Sequence, residues 1–215
     1  MKNFSLISFS LLFALLTACS GGGNQTSSSE AESTSEPMEA ATGEAQSYSV
    51  DADASMVQWE GNMLGMYSHS GNIEVEEGSL MVQGDDVVGG TITIDMSSIT
   101  PTDENYDPSK DRTKAKLIGH LSSNDFFNVE EYPTATFEIT GSQGDQLMGN
   151  LTIRGNTNEE TVENVSFNPE TGTATGTLTF DRTKYDVNFQ MTAQDMVLSD
   201  EIELQIELKT ASQNM

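Results

Sequence analysis

The chain has 215 residues, with 34 acidic side chains, nine basic ones and two histidines, giving a formal net charge of −25. So acidic a surface repels nucleic-acid phosphates and anionic bilayer faces, which argues against DNA or RNA as a partner. With one cysteine in the whole chain, no internal disulfide can form.

Lys2 precedes an apolar stretch from Phe4 to Leu16, interrupted only by Ser5, Ser8 and Ser10, and then comes Leu16-Thr17-Ala18-Cys19. A charged start, an apolar middle and small residues before a cut are the order of a secretory signal. The stretch is shorter than the ~20 residues a membrane-spanning helix needs. Residues 1–18 are therefore expected to be a signal peptide. Cys19, directly after Leu-x-Ala, is expected to accept a diacylglyceryl group and become the N-terminus of a lipoprotein, held by acyl chains more firmly than a single chain would hold it. Loss of Lys2 leaves eight basic residues against 34 acids, a net −26. Ser20 is not acidic, which favours the outer membrane of a Gram-negative envelope, facing the periplasm or the cell surface.

Residues 19–45 are mostly Gly, Ser, Thr, Ala and Glu, with no aromatic or basic residue, and are expected to act as a flexible acidic tether. Residues 46–211 are expected to form one domain with a sizeable core. Asn24, Asn150 and Asn164 begin Asn-x-Ser/Thr triplets that carry no weight in a bacterial protein.

Almost all of this domain alternates with period two. Val57 with Trp59, Ile73 with Val75, and Leu80 with Val82 each share a strand face. In Val88 to Met96 the apolar residues take the even positions. Ala135, Phe137 and Ile139, then Leu147, Leu151 and Ile153, then Ala174, Leu178 and Phe180 continue the pattern. Tyr185, Val187 and Phe189 predict a further strand, and Ile202, Leu204, Ile206 and Leu208 the last. The separators are turn chemistry: Glu77-Gly78, Gly84-Asp85, Ser142 to Asp145, and Asn168 to Gly172. One helical excursion interrupts them. Asp107-Pro108 predicts a helix start and Gly119 a stop, about eleven residues in all, with a shorter turn over Ser122 to Phe127. The class is all-β and antiparallel, with about eight to ten strands that suit a closed barrel or a two-sheet sandwich.

Several segments together resemble the YceI-like family. They are Trp59-Glu60-Gly61, His69-Ser70-Gly71-Asn72-Ile73 and Gly89 to Ile99, followed by Leu117 to Phe127 and Tyr132 to Phe137. Gly149 to Gly155, Phe180 to Tyr185 and Ile202-Glu203-Leu204 complete the series. The resemblance spans the domain in order and departs mainly in a short loop between Trp59 and His69. It implies a lipocalin-like β-barrel with a helix and loops at one mouth, and an apolar channel for a long isoprenoid chain. The expected partner is then an isoprenoid quinone or polyprenyl lipid, with sequestration or transport as the role. The alternatives are a non-catalytic stress or protein-interaction module whose barrel is filled by its own side chains, and an enzyme acting on a lipid.

Trp59, His69, Phe126, Phe127, Phe137, Phe180, Tyr185 and Phe189 are the candidate ligand-binding residues, although core packing and ligand lining look alike in sequence. His69 and His120 lack the clustered partners of a metal site and are expected to make structural hydrogen bonds, His120 by fixing the turn from Gly119 to Phe127. Lys110, Arg112, Lys114 and Lys116 hold half of the mature basic residues. Lys114 and Lys116 are candidates for attracting an anionic head group such as a prenyl phosphate, against the simpler reading as solvated helix charges. Arg154 and Arg182 are expected to lie on strands and pair with acids. No nucleophile elbow, phosphate loop or metal motif is present, so no catalytic residue, cofactor or metal is assigned.

Overall fold

A computed structural model describes residues 43–64, 67–190 and 197–211. Cys19, the expected signal peptide and most of the expected tether lie outside these residues. Eight antiparallel strands follow one another around a closed barrel: β1 (Gln46–Leu64), β2 (Tyr67–Gln83), β3 (Asp86–Pro101), β4 (Thr134–Gln143), β5 (Gln146–Ile153), β6 (Asn156–Asn168), β7 (Thr173–Asp181) and β8 (Val197–Thr210). β1 pairs with both β2 and β8, which closes the sheet. The choice between barrel and sandwich, open on periodicity alone, falls to the barrel.

The eight strands fall within the expected number but are longer than the alternation suggested, because phase changes in it are bulges rather than turns. Ile73 and Val75 point inward on odd numbers, Leu80 and Val82 on even ones, and Glu77-Gly78 between them is not a turn. The register against β3 slips between Val75 and Glu77, so a single strand β2 re-aims its apolar set at the same interior. A Cβ on Gly78 would come within 2.7 Å of Ile92 Cδ1, which explains the glycine. β3 behaves likewise. Val87 is buried and Val88 is the extra residue, because Met81 pairs with Gly89 while Val82 pairs with Val87. The even-numbered face expected from Val88 therefore begins only after Gly90, whose φ of 134° and close approach to Ser79 O leave no room for a side chain.

β6 has no counterpart in the expected strands. Its inward positions include Glu160 as well as Val162 and Phe167, so a buried carboxylate interrupts the apolar pattern. Conversely, Tyr185-Val187-Phe189 is not a strand. Asp181 accepts from Thr183 N–H at 2.8 Å and caps a short 3-10 turn, Arg182–Tyr185, which Asp186 ends at φ 61°. The Arg182 guanidinium takes up the Val187 and Ser199 carbonyls and pairs with Asp200 at 2.8 Å, replacing ladder bonds with side-chain donors. Its pairing with an acid is as expected; its place on a strand is not. Arg154 sits in the two-residue β5–β6 turn, where it and Gly155 both have positive φ, and it donates to the Phe126 and Asp186 carbonyls at 2.8 and 2.6 Å rather than to an acid.

The excursion between β3 and β4 is two helices, not one. Pro108–Lys110 is a 3-10 turn ended by Asp111 at φ 60°, and Asp107 and Arg112 bridge back across it. A new N-cap, Thr113, then accepts from Lys116 N–H at 3.3 Å and starts α1 (Lys114–Ser122), which runs through Gly119. Gly119 is no stop because the helix ends three residues later on Ser123, whose N–H and hydroxyl both donate to the His120 carbonyl.

Packing divides the interior along the barrel axis. Around the start of β1, side chains such as Leu80, Val82, Val162 and Phe167 fill the lumen, and Tyr48 meets the Phe167 ring at 5.6 Å. Toward the β1–β2 tip the strands enclose open space, with α1 and its flanking loops across that end.

Candidate functional site

That open space is a cavity of about 410 Å³, walled by barrel residues and by the excursion between β3 and β4. Its volume falls in the range of small-molecule sites, ~300–1,000 Å³. It also means that this half of the barrel is not filled by its own side chains. Val57, Trp59, Ile73, Met96, Leu151 and Ile202 form apolar wall from below, and Leu117, Leu121, Phe126 and Phe127 from the excursion.

Of the residues singled out in the sequence, Trp59, His69, Phe126, Phe127, Phe137, Phe180 and Phe189 all line this one cavity. Tyr185 does not. It is fully buried behind Phe180, ring centroids 5.5 Å apart and edge to face, with its hydroxyl donating to Glu160 at 3.0 Å. Burial first, and then the Glu160 charge, push the Tyr185 phenol far above its ordinary range, so it remains a donor at any physiological pH. Trp59, the one tryptophan, donates its Nε1–H to the Asn72 carbonyl at 3.3 Å and turns its ring to the wall.

The basic segment divides. Lys116 and Arg112 line the cavity, but Lys116 is paired with Asp111, and Arg112 reaches Asp107 at 3.7 Å. Lys110 also pairs with Asp107, at 3.3 Å. Lys114 is not part of the lining and lies over the Tyr106 ring, 5.9 Å from its centroid.

Both histidines reach the cavity. The turn after α1 is fixed by the backbone carbonyl of His120, not by its imidazole as expected; the ring packs edge-on against Phe189 at 4.3 Å and Phe126 at 5.4 Å. Burial pushes the His120 pKa down, and the Asp125 charge only partly opposes it. His69 is held quite differently, with Nδ1 at 3.1 and 3.2 Å from the two oxygens of Asp103. Burial alone would raise the Asp103 carboxyl, but backbone donors from Asn105 and Ser70, together with His69, more than offset this and hold it below the usual range. Tyr106 also donates to Asp103, at 3.1 Å, and burial together with that charge pushes its phenol up to about 12.

Asp103 and Tyr106 were not singled out in the sequence. Asp103 sits 34 positions from His69, and nothing in local spacing joins a β2 residue to the loop after β3. The Asp103-x-Asn105 turn, in which the carboxylate accepts the Asn105 N–H at 2.8 Å, was the only local signal available. Among the described residues no group of histidines and acids is arranged to hold a metal ion.

A closed eight-stranded antiparallel barrel with one apolar chamber defines a lipocalin-like architecture. Residues 48–210 match the YceI-like domain, and the chain belongs to that family. Among curated relatives, a UPF0312 protein of Staphylococcus aureus is 42% identical over 78 residues, covering 33% of this chain and 46% of the relative. A UPF0312 protein of Staphylococcus epidermidis is 37% identical over 103 residues, covering 44% and 60%. The chain thus spans about half the length of the curated relatives it matches. Among solved structures, BcnA of Burkholderia cenocepacia has 20% identity and a TM-score of 0.51, covering 76% of this chain and 99% of the other. A polyisoprenoid binding domain from Saccharophagus degradans has 12% identity and a TM-score of 0.45, covering 75% and 95%.

Proposed function

We propose that this chain is a carrier or reservoir for an isoprenoid lipid, a quinone or polyprenyl amphiphile, in the cell envelope, held at a membrane through acylated Cys19. One observation carries the reading: the cavity of about 410 Å³ has an almost wholly apolar wall, contributed by aromatic and aliphatic residues from both the barrel and the excursion. Removing an apolar tail from water into such a wall is worth about 25 cal/mol per Å², so a long chain gains affinity with few polar contacts. Binding without turnover suits this chamber, since apolar chains need enclosure more than reacting groups. The leader and Cys19 support the location, because a carrier of poorly soluble lipid works best beside its source.

The test is organic extraction of the purified full chain followed by mass spectrometry, alongside intact-mass analysis of the N-terminus. A co-purifying isoprenoid and a triacylated Cys19 are expected. A chain that yields no isoprenoid and takes none up from supplied geranylgeraniol overturns the cargo; an unmodified Cys19 after export overturns the anchor.

A further inference from the structure

Among the polar groups on the otherwise apolar wall is a hydrogen-bonded cluster built around His69. Its Nδ1 meets Asp103, and the same carboxylate accepts from the Ser70 N–H at 3.1 Å, the Asn105 N–H at 2.8 Å and the Tyr106 hydroxyl at 3.1 Å. A carboxylate offers only acceptor sites, so Nδ1 carries the hydrogen, and whenever the ring is neutral it is held in the one tautomer that leaves Nε2 as the acceptor. The ring plane is fixed as well, stacked on Tyr106 at 5.4 Å and met edge-on by Tyr67 at 5.2 Å. In that tautomer Nε2 presents its lone pair. It has no hydrogen-bond partner among the described residues, and it is not among atoms sealed from solvent without one. The side chain lines the cavity and keeps 20% of its surface accessible.

We propose that His69 Nε2 is the polar stop of the cavity, selecting apolar chains that end in a hydroxyl, such as a prenol or the reduced form of a quinone, over the same chains ending in an ether or carbonyl. The hydroxyl donates to Nε2; a carbonyl or ether presents a second lone pair to it and leaves both acceptors unpaired. An anionic end is disfavoured at the same place, because Lys116 and Arg112, the cations on the lining, are already engaged by Asp111 and Asp107. Asp103 acts as a positioning residue that holds the imidazole in the acceptor tautomer.

The inference rests on the carrier reading, and the experiment separates the two. The full chain is equilibrated with radiolabelled geranylgeraniol, its methyl ether, geranylgeranial and geranylgeranyl monophosphate, and the bound fraction is measured. The alcohol is expected to bind about tenfold more tightly than the ether or aldehyde, the difference one buried hydrogen bond makes when its loss strands an acceptor. In His69→Phe the ratio of alcohol to ether affinity is expected to fall to about one. Asp103→Asn, which frees the tautomer, is expected to narrow the alcohol-to-ether ratio without abolishing it. Should His69→Phe fail to fold, His69→Leu, which also lacks an acceptor, serves in its place, and the wild-type ratio already decides the question without a variant. Equal binding of alcohol, ether and aldehyde overturns the head-group proposal and leaves the carrier reading intact, as does tighter binding of the monophosphate. No binding of any of the four overturns both.

Discussion

The Tyr185 hydroxyl donates to the Glu160 carboxylate at 3.0 Å, inside the barrel wall and one layer behind the cavity. Glu160 has an exposure of only 8% and also receives Lys184 Nζ at 3.1 Å, so the pair is a charged hydrogen bond largely removed from water. Removing the hydroxyl strands part of a buried carboxylate, which costs about 1–3 kcal/mol. Tyr185→Phe is therefore expected to lower the melting temperature by several degrees, at ~2–4 °C per kcal/mol for a domain of this size. Lipid affinity should stay within about twofold, because Phe180 and not Tyr185 forms the lining. Thermal denaturation and lipid binding on one preparation check both.

Cavity volume should govern affinity. Ala135 is buried and lines the chamber from β4, so Ala135→Phe inserts a ring where a ligand chain would lie. Overpacking is expected to cost about 1–3 kcal/mol of stability, which a well-packed barrel withstands. Binding of geranylgeraniol should fall at least about tenfold, the equivalent of ~1.4 kcal/mol. Retained affinity in a folded variant would place the ligand elsewhere.

Trp59 offers an intrinsic reporter. It is the only tryptophan, it is buried, and it faces the cavity across from Gly71 on the neighbouring strand. Lipid uptake should change its emission without any introduced label. Gly71→Ala should change it even without lipid, since a Cβ there would lie 2.7 Å from Trp59 Cζ2 and 2.3 Å from Thr100 O. That substitution is expected to destabilise the barrel by a few kcal/mol, about the upper end of overpacking costs.

Two groups set opposite ends of the acid response. The depressed His120 pKa means that the unfolded chain binds more protons than the folded one just below pH ~6.5, so stability declines as pH falls through that window and levels off below the folded value. His120→Phe should flatten this limb. The depressed Asp103 pKa acts lower: stability is fully present above pH ~3.9 and is lost as the pH drops through the folded value. Asp181 and Asp107 are shifted the same way, so only the difference between wild type and Asp103→Asn isolates the dyad. Urea denaturation across pH 2–8, a range chosen to bracket both reference pKa values, reads both limbs.

Much of the barrel was legible in the alternation, and so was most of the aromatic lining, because strand faces and ligand walls obey the same period of two. What escaped was non-local or phase-breaking. Glu77-Gly78 reads as a turn because a bulge and a turn both interrupt the pattern; only the register with β3 distinguishes them. β6 escaped because Glu160 takes an inward position whose partners, Lys184 and Tyr185, lie more than twenty residues on. Tyr185 reads as lining because its spacing from Val187 and Phe189 mimics a strand, whereas Asp181 and Arg182 bend that stretch into a capped turn. Asp103 escaped because its meaning depends on His69, and only folding brings them together.

Because β1 runs from the packed end of the barrel to the cavity end, the two ends are unequal as attachment points. A label, surface linkage or fusion partner joined ahead of Gln46 meets a solid floor and leaves the chamber unobstructed. The same addition placed next to Tyr67, which lines the chamber, sits at its rim. Sensor or delivery formats built on this barrel should therefore be immobilised from the first strand and loaded from the other side.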